Sequence, residues 1–198
     1  MDGFETRARA MGYRAIAGVD EAGRGPLAGP VVAAAVILPW GFDPGGIRDS
    51  KALSPAARKR AQVRIEAEAI SCSVARATPE EIDEINILQA SLLAMRRAVS
   101  RLSPRPDFLY VDGTFPVPYE VPQEPLVAGD SRCLSVMAAS ILAKVARDAM
   151  MEEYERLYPG YRFSAHKGYP TREHLAAIRR LGPCPIHRRT FRGVRTQP

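Results

Sequence analysis

Short apolar runs alternate with amphipathic stretches along the chain, and their spacing predicts the order of strands and helices. Two apolar runs, 15–19 and 31–38, flank a turn rich in glycine and proline, which is typical of a β-hairpin or a sheet edge. Residues 71–77, 107–111 and 126–128 form three further short runs with strand character. The pattern therefore predicts five strands, of which the first two are neighbours.

Helix signals lie between and after these strands. Residues 54–69 open with serine and proline, which suit an N-cap and the first helical position. Residues 78–102 open with a capping box, and their helix is expected in two pieces that meet near Asn86. Helical patterns also cover 134–157 and 171–181, the second ending at a glycine-proline stop.

Strands that come first and then alternate with helices indicate an α/β domain with a mixed central β-sheet flanked by helices. A chain of 198 residues with 46% hydrophobic content suits a single domain, 1–198. The last segment, 187–198, is a basic tail that is expected to be mobile.

The amino-acid composition indicates the kind of partner that the protein binds and the cellular compartment in which it works. The net charge of +6 and a pI near 9.5 favour a polyanionic partner, without choosing among DNA, RNA and an anionic membrane. Three widely spaced cysteines argue against a disulfide framework or a zinc knuckle and favour a cytoplasmic setting. The longest apolar stretch, 31–40, is too short to span a bilayer, and no signal peptide is visible, so a soluble protein is expected.

Candidate chemistry lies where strands end in acids: Asp20 and Glu21, Asp112, and Asp130. If these strand ends converge, four carboxylates share one pocket and repel one another unless a divalent cation neutralises them. Oxygen ligands without a histidine or cysteine cluster select Mg²⁺ or Mn²⁺. Such clusters suit phosphodiester hydrolysis with two metal ions.

Simpler interpretations stay open for each acid alone. Asp112 could belong to a turn, Asp130 could cap the following helix, and each of these is the commoner role for an isolated aspartate. Successive strand residues face opposite ways, so Asp20 and Glu21 require either a bend at residues 22–23 or different positions around one centre. Taken together, the acids favour a shared metal site. Asp148 is expected to be a surface or ion-pairing acid.

Several motifs resemble those of one known family. Residues 20–31, Asp-Glu-Ala-Gly-Arg-Gly-Pro-Leu-Ala-Gly-Pro-Val, resemble the opening signature of ribonuclease HII, the type 2 ribonuclease H. Further matches in the family's order are segments 49–54, 85–90, 111–113, 138–148 and 166–171. Arginine at position 24 is typical of type 2, since type 3 enzymes usually carry lysine there.

The resemblance implies a ribonuclease H-like fold with a helical, basic C-terminal extension, about 158–198, beside the active site. It implies that Asp20, Glu21, Asp112 and Asp130 are the catalytic acids and bind two Mg²⁺ or Mn²⁺ ions, with Asp20 bridging them. It also implies that Gly23, Arg24 and Gly25 sense the ribose 2′-hydroxyl, the group that separates RNA from DNA. Tyr169 would stack on the neighbouring deoxyribose.

Five other residues are weaker candidates for binding substrate phosphates: Lys51, Ser140, Lys144, His166 and Lys167. Ser140 and Lys144 lie on one helix face with Arg147, a face that could equally be polar surface. A stripe of Met137, Ile141, Val145 and Ala149 is predicted to face the core instead. His174 and His187 show no metal-ligand spacing, so surface or packing roles are expected for them.

The resulting hypothesis is a monomeric endoribonuclease, a hydrolase of RNA–DNA hybrids that also nicks duplex DNA on the 5′ side of single ribonucleotides. The resemblance implies products with 5′-phosphate and 3′-hydroxyl ends. One rival is a nuclease or strand-transfer enzyme of the same fold acting on DNA, which would be indifferent to the 2′-hydroxyl. Another is a basic hybrid-binding protein without catalysis, which the four acids disfavour.

Overall fold

The computed structural model describes residues 3–47, 50 and 53–194, and its central feature is a five-stranded sheet. The order of strands across the sheet is β3-β2-β1-β4-β5. β1 is antiparallel to β2 and β2 to β3, whereas β4 and β5 run parallel to β1. In chain order the elements are α1 Phe4–Ala10, β1 Ile16–Ala22, β2 Val31–Ile37, α2 Pro55–Glu68, β3 Ser71–Ala77, α3 Pro79–Val99, β4 Phe108–Asp112, β5 Gln123–Leu126, α4 Leu134–Leu157, α5 Phe163–His166 and α6 Arg172–Leu181. The predicted α/β fold with a mixed sheet is confirmed.

Local signals explain where the helices begin. The Ser54 hydroxyl accepts the backbone N–H of Ala57 at the start of α2. Thr78 and Glu81 form a complete capping box at the start of α3. Asn86 interrupts α3 with φ of 67°, and its side-chain oxygen accepts two following N–H groups, so the helix restarts there, as predicted.

The core lies on both faces of the sheet, and β2 is buried along its whole length. One face packs against α3, while α2 and α4 cover the other. At Gly18 in β1 the backbone of α4 comes so close that a Cβ would lie 2.1 Å from the Ser135 carbonyl carbon. This contact requires glycine, and it fixes α4 against the strand that carries Asp20.

Several predictions about local structure are wrong. The short helix α1 was not expected; it is held by Tyr110, whose hydroxyl donates to the Phe4 carbonyl oxygen. The last strand covers 123–126 rather than 126–128, because pairing with β4 overrides the apolar pattern. The predicted tail is packed against the domain at residues 187, 188 and 194, which are all buried.

The predicted core stripe of α4 is only partly correct. Ile141 is buried, but Met137 and Val145 are half-buried and Ala149 is exposed. The side of α4 that carries Ser140 faces inward.

None of the helices within 3–47 and 53–194 combines the length and apolar character that crossing a bilayer requires.

A chain of neutral histidines joins α6 to the C-terminal segment. His174 Nδ1 lies 3.0 Å from the Tyr169 carbonyl oxygen and therefore donates to it. His174 Nε2 is then an acceptor for His187 Nε2–H at 3.1 Å, and His187 Nδ1 accepts the backbone N–H of Cys184. A proton added to His174 would put its Nε2–H face to face with the Nε2–H of His187. Both histidines are packing residues, in agreement with the prediction.

Acid should therefore weaken the fold through these two rings. Burial lowers the pKa of both His174 and His187 from 6.5 to about 4. A lowered folded-state pKa means that the stabilisation is complete above pH 6.5 and is lost as the pH falls towards 4. When the pH falls from 7 to 5, we expect each histidine to lower the free energy of unfolding by about 2 kcal/mol. Urea denaturation across this range measures the slope.

The matched control is His187→Gln, which should remove about half of the histidine contribution to the slope. This comparison is needed because burial raises the pKa of Asp20, which acts in the opposite sense. Subtracting the two pH profiles cancels the carboxylate contribution. Identical slopes for the wild type and His187→Gln would contradict the prediction.

Candidate active site

The predicted acids come together at one edge of the sheet. β1 and β4 are parallel neighbours, so Asp20, Glu21 and Asp112 lie at the same end. Asp130 follows β5 in a short 3₁₀ turn, Gly129–Ser131. All four acids line a cavity of about 280 Å³. Its other lining residues are Ala22, Gly23, Ser50, Ser140, Lys144, Arg147 and Tyr169.

Three of the acids form a close group. Asp20, Glu21 and Asp112 each offer one carboxylate oxygen, and these oxygens lie within 4.8 Å of one another. β1 keeps regular pairing with β2 as far as Ala22, so the strand does not bend between the two adjacent acids. The chain turns directly after the strand, at Gly23 with φ of 100°, and within the regular strand Asp20 and Glu21 occupy different positions around one centre.

Burial and mutual repulsion among the clustered carboxylates disfavour the ionised forms of Asp20 and Glu21 and raise their pKa values. Burial, followed by the charges of Glu21 and Asp112, raises the pKa of Asp20 well above its usual range. Burial also raises the pKa of Glu21, although the Arg24 guanidinium at 3.2 Å partly counteracts it. Carboxylates in such surroundings favour protonation or a cation.

The donor set fits a divalent ion. Glu21 Oε2 is buried and, among the residues described, finds no hydrogen-bond partner. Burying a carboxylate oxygen without a hydrogen-bond partner costs folding free energy unless a cation compensates its charge. The converging atoms are all hard carboxylate oxygens, which suit Mg²⁺ and Mn²⁺ better than zinc.

Backbone amides orient Asp112 between the acids. Its Oδ1 accepts the N–H of Gly129 at 2.7 Å and, more weakly, that of Asp130 at 3.4 Å. These bonds tie β4 to the turn that carries Asp130. The alternative that Asp130 caps α4 is excluded, because the N-cap of that helix is Cys133.

The Gly-Arg-Gly turn and Tyr169 lie beside the acids. Gly23 has φ of +100°, and a Cβ there would lie 2.0 Å from the Nε of Arg147. A Cβ on Gly25 would lie 3.5 Å from the Tyr169 ring, so the turn and the ring are neighbours. Tyr169 is 45% exposed and Arg24 is also exposed, which leaves both accessible to a ligand.

The weaker candidates divide into two groups. Ser140 and Lys144 line the cavity. The Ser140 hydroxyl favours the charged form of Asp20, lowering its pKa, and it shares a 2.7 Å hydrogen bond with the Ser50 hydroxyl. Lys144 pairs with Asp148 at 2.6 Å. Asp148 is thus an ion-pairing acid, as predicted.

The second group is engaged elsewhere. His166 bonds through its ring to the Tyr161 carbonyl oxygen and to the Gly168 N–H. Lys167 pairs with Glu152 at 2.8 Å. Lys51 lies outside the described residues.

Sequence reasoning missed two arginines. The sequence places Arg147 on a helix face that could equally be polar surface and Arg188 in a basic tail, yet these side chains are only 1% and 0% exposed. Arg188 donates to the carbonyl oxygens of Gly23 and Arg24, and Arg147 donates to those of Ala28 and Pro30, a few residues further along the same loop. No local signal distinguishes them from their exposed neighbours, since their burial depends on partners more than 100 residues away.

Comparisons with known proteins agree on one family. The family model described as ribonuclease HII matches residues 17–194. The ribonuclease HII of Geobacter sulfurreducens is 59% identical over 192 residues, covering 97% of this chain and 88% of that protein. The ribonuclease HII of Syntrophotalea carbinolica is 56% identical, with coverage of 97% and 92%.

A solved structure is also similar. The crystal structure of ribonuclease H2 from Pyrococcus horikoshii OT3 superposes with a TM-score of 0.75 at 28% identity. The match covers 92% of this chain and 96% of that one.

Proposed function

Because the chain belongs to the ribonuclease HII family, we propose that it is an endoribonuclease that hydrolyses the RNA strand of RNA–DNA hybrids. We further propose that it nicks duplex DNA on the 5′ side of a single ribonucleotide, leaving 5′-phosphate and 3′-hydroxyl ends. The observation that carries this is the close group of Asp20, Glu21 and Asp112 in an open cavity beside the Gly-Arg-Gly turn.

Asp20, Glu21, Asp112 and Asp130 would hold two Mg²⁺ or Mn²⁺ ions. When bound, the ions supply an activated water and neutralise charge on the leaving oxygen. Asp20, the most buried acid of the close group, would hold the ions at the enclosed end of the cavity. The Ser140 hydroxyl favours the charged form of Asp20 by lowering its pKa, and the backbone amide of Gly129 holds Asp112.

Substrate selection would depend on the rim of the cavity. Backbone amides of Gly23, Arg24 and Gly25 can approach a 2′-hydroxyl closely, and the exposed Tyr169 ring offers an apolar face to the adjoining sugar. Lys144 supplies positive charge in the cavity near the substrate phosphates. The net charge of +6 favours approach to the nucleic acid.

We expect the wild-type protein to nick an end-labelled DNA duplex that carries one ribonucleotide when Mg²⁺ or Mn²⁺ is present. The matched all-DNA duplex should stay intact, because it lacks the 2′-hydroxyl. Gel mapping against a ladder locates the cut, and EDTA should abolish it. Equal cleavage of the all-DNA duplex would favour a DNA nuclease, and tight hybrid binding without cleavage would favour a binding protein.

Three further predictions complete the proposal. The protein acts as a monomer, it works in the cytoplasm, and residues 1–198 form one catalytic domain with an extension from about 158. Lys51, His166 and Lys167 remain predicted phosphate-binding residues.

A further inference from the structure

A buried cation holds the turn that lies beside the acids. Arg188 Nη2 donates to the Gly23 carbonyl oxygen at 2.6 Å, and Nη1 donates to that of Arg24 at 2.9 Å. Its Nε donates to the Gly29 carbonyl oxygen at 3.0 Å. A fully buried guanidinium is costly unless it is hydrogen-bonded, and here each of its three nitrogens donates to a carbonyl group of one turn.

A second buried arginine holds the other half of the same turn. Arg147 of α4 donates to the carbonyl oxygens of Ala28 and Pro30, both at 3.2 Å. Its side chain also fills the space beside Gly23. Five carbonyl groups between residues 23 and 30 are therefore held by two guanidinium groups.

The segment that carries Arg188 is itself firmly attached. The backbone N–H of Arg188 donates to the Leu27 carbonyl oxygen, and the Phe191 ring stacks on the guanidinium at 5.0 Å. At the start of α3, Asp83 accepts the backbone N–H groups of Arg189 and Thr190 at 2.7 and 2.9 Å. Arg188 is thus a rigid support.

Because peptide groups are planar, the hydrogen bonds from Arg188 to the carbonyl groups also fix the direction of the neighbouring backbone N–H groups. In a trans peptide the C=O of one residue and the N–H of the next point in opposite directions. With the carbonyls of Gly23 and Arg24 held towards Arg188, the N–H groups of Arg24 and Gly25 must point away from it. Arg24 and Gly25 are both exposed, and Gly25 lies beside the exposed Tyr169 ring, so this side of the turn is accessible to a ligand.

We propose that Arg188 is a positioning residue that aims the amides of Arg24 and Gly25 at the substrate's 2′-hydroxyl and so sets ribose discrimination. The inference rests on the proposed function, because it assumes that the turn reads that hydroxyl. Arg188 touches only the protein, so its effect passes through the turn.

The test compares Arg188→Gln and Arg188→Lys with the neighbouring control Arg189→Gln. kcat and KM are measured on the duplex with one ribonucleotide, and Kd is measured on the all-DNA duplex in EDTA. Thermal melting establishes that each variant is folded. If Arg188→Gln does not fold, Arg188→Lys carries the test, because lysine keeps the charge but not the three-way geometry.

For Arg188→Gln we expect kcat to fall about 100-fold, the scale of a small misplacement of a positioned group. KM and the all-DNA Kd should change less than about threefold, Arg188→Lys should be intermediate, and Arg189→Gln should match the wild type. An unchanged kcat in both Arg188 variants would overturn the inference, as would a parallel loss of all-DNA binding. Failure of the proposed function itself would be distinct, since the wild type would then not nick.

Discussion

Asp112→Asn is expected to lower cleavage of the single-ribonucleotide duplex by roughly a thousandfold, equivalent to about 4 kcal/mol of transition-state stabilisation. Asparagine keeps the Oδ1 that accepts the Gly129 N–H, so the local structure should persist. It removes one of three carboxylates that converge within 4.8 Å, and with it a full charge from the metal site. Gel assays with Mg²⁺ and with Mn²⁺ measure the loss.

Thermal melting tests the same substitution, Asp112→Asn, without relying on cleavage activity. In EDTA the variant should melt at a higher temperature than the wild type, because one of the mutually repelling charges is gone. Added Mn²⁺ should then raise its melting temperature less than that of the wild type.

The matched control is Asp148→Asn, which removes an acid that pairs with Lys144 on the same helix. It should retain cleavage within a few-fold, in keeping with an ion pair of modest strength. Full activity of Asp112→Asn, or equal losses in the two variants, would contradict the proposed metal site.

Gly18→Ala is expected to lower the free energy of unfolding by about 4 kcal/mol or to prevent folding. The added Cβ would lie 2.1 Å and 2.2 Å from backbone atoms of Ser135 and Val136, and backbone cannot rotate aside as a side chain can. The start of α4 is also fixed by Glu5, which accepts the N–H and hydroxyl of Ser135, both at 2.8 Å. Urea denaturation measures the difference.

Gly25→Ala serves as the control, because its Cβ would meet only the Tyr169 ring at an ordinary 3.5 Å. Its stability should stay within about 1 kcal/mol of the wild type. If Gly18→Ala were equally mild, the close contact between β1 and α4 would not be what fixes the helix.

The features that sequence predicted correctly depend on local signals. The hairpin of β1 and β2, the capping box at Thr78 and the break at Asn86 each follow from a few adjacent residues. The convergence of Asp20, Glu21 and Asp112 also follows, because strand ends in an α/β sheet gather at one edge.

The features that sequence missed depend on distant contacts. Arg188 and Arg189 are adjacent and chemically identical, yet only the first is buried, because the turn 165 residues earlier receives it. The strand at 123–126 likewise has little apolar pattern and is defined by its pairing with β4. Local propensity cannot report partners of this kind.

The support of the turn by Arg188 has a practical consequence for recombining this enzyme with its relatives. The four acids occupy positions 20 to 130, but the support for the turn comes from position 188. A chimera joined between these regions would unite a turn from one parent with a guanidinium from another. Residues 23–30 and 184–191 should therefore be inherited from the same parent, as though they were one contiguous motif.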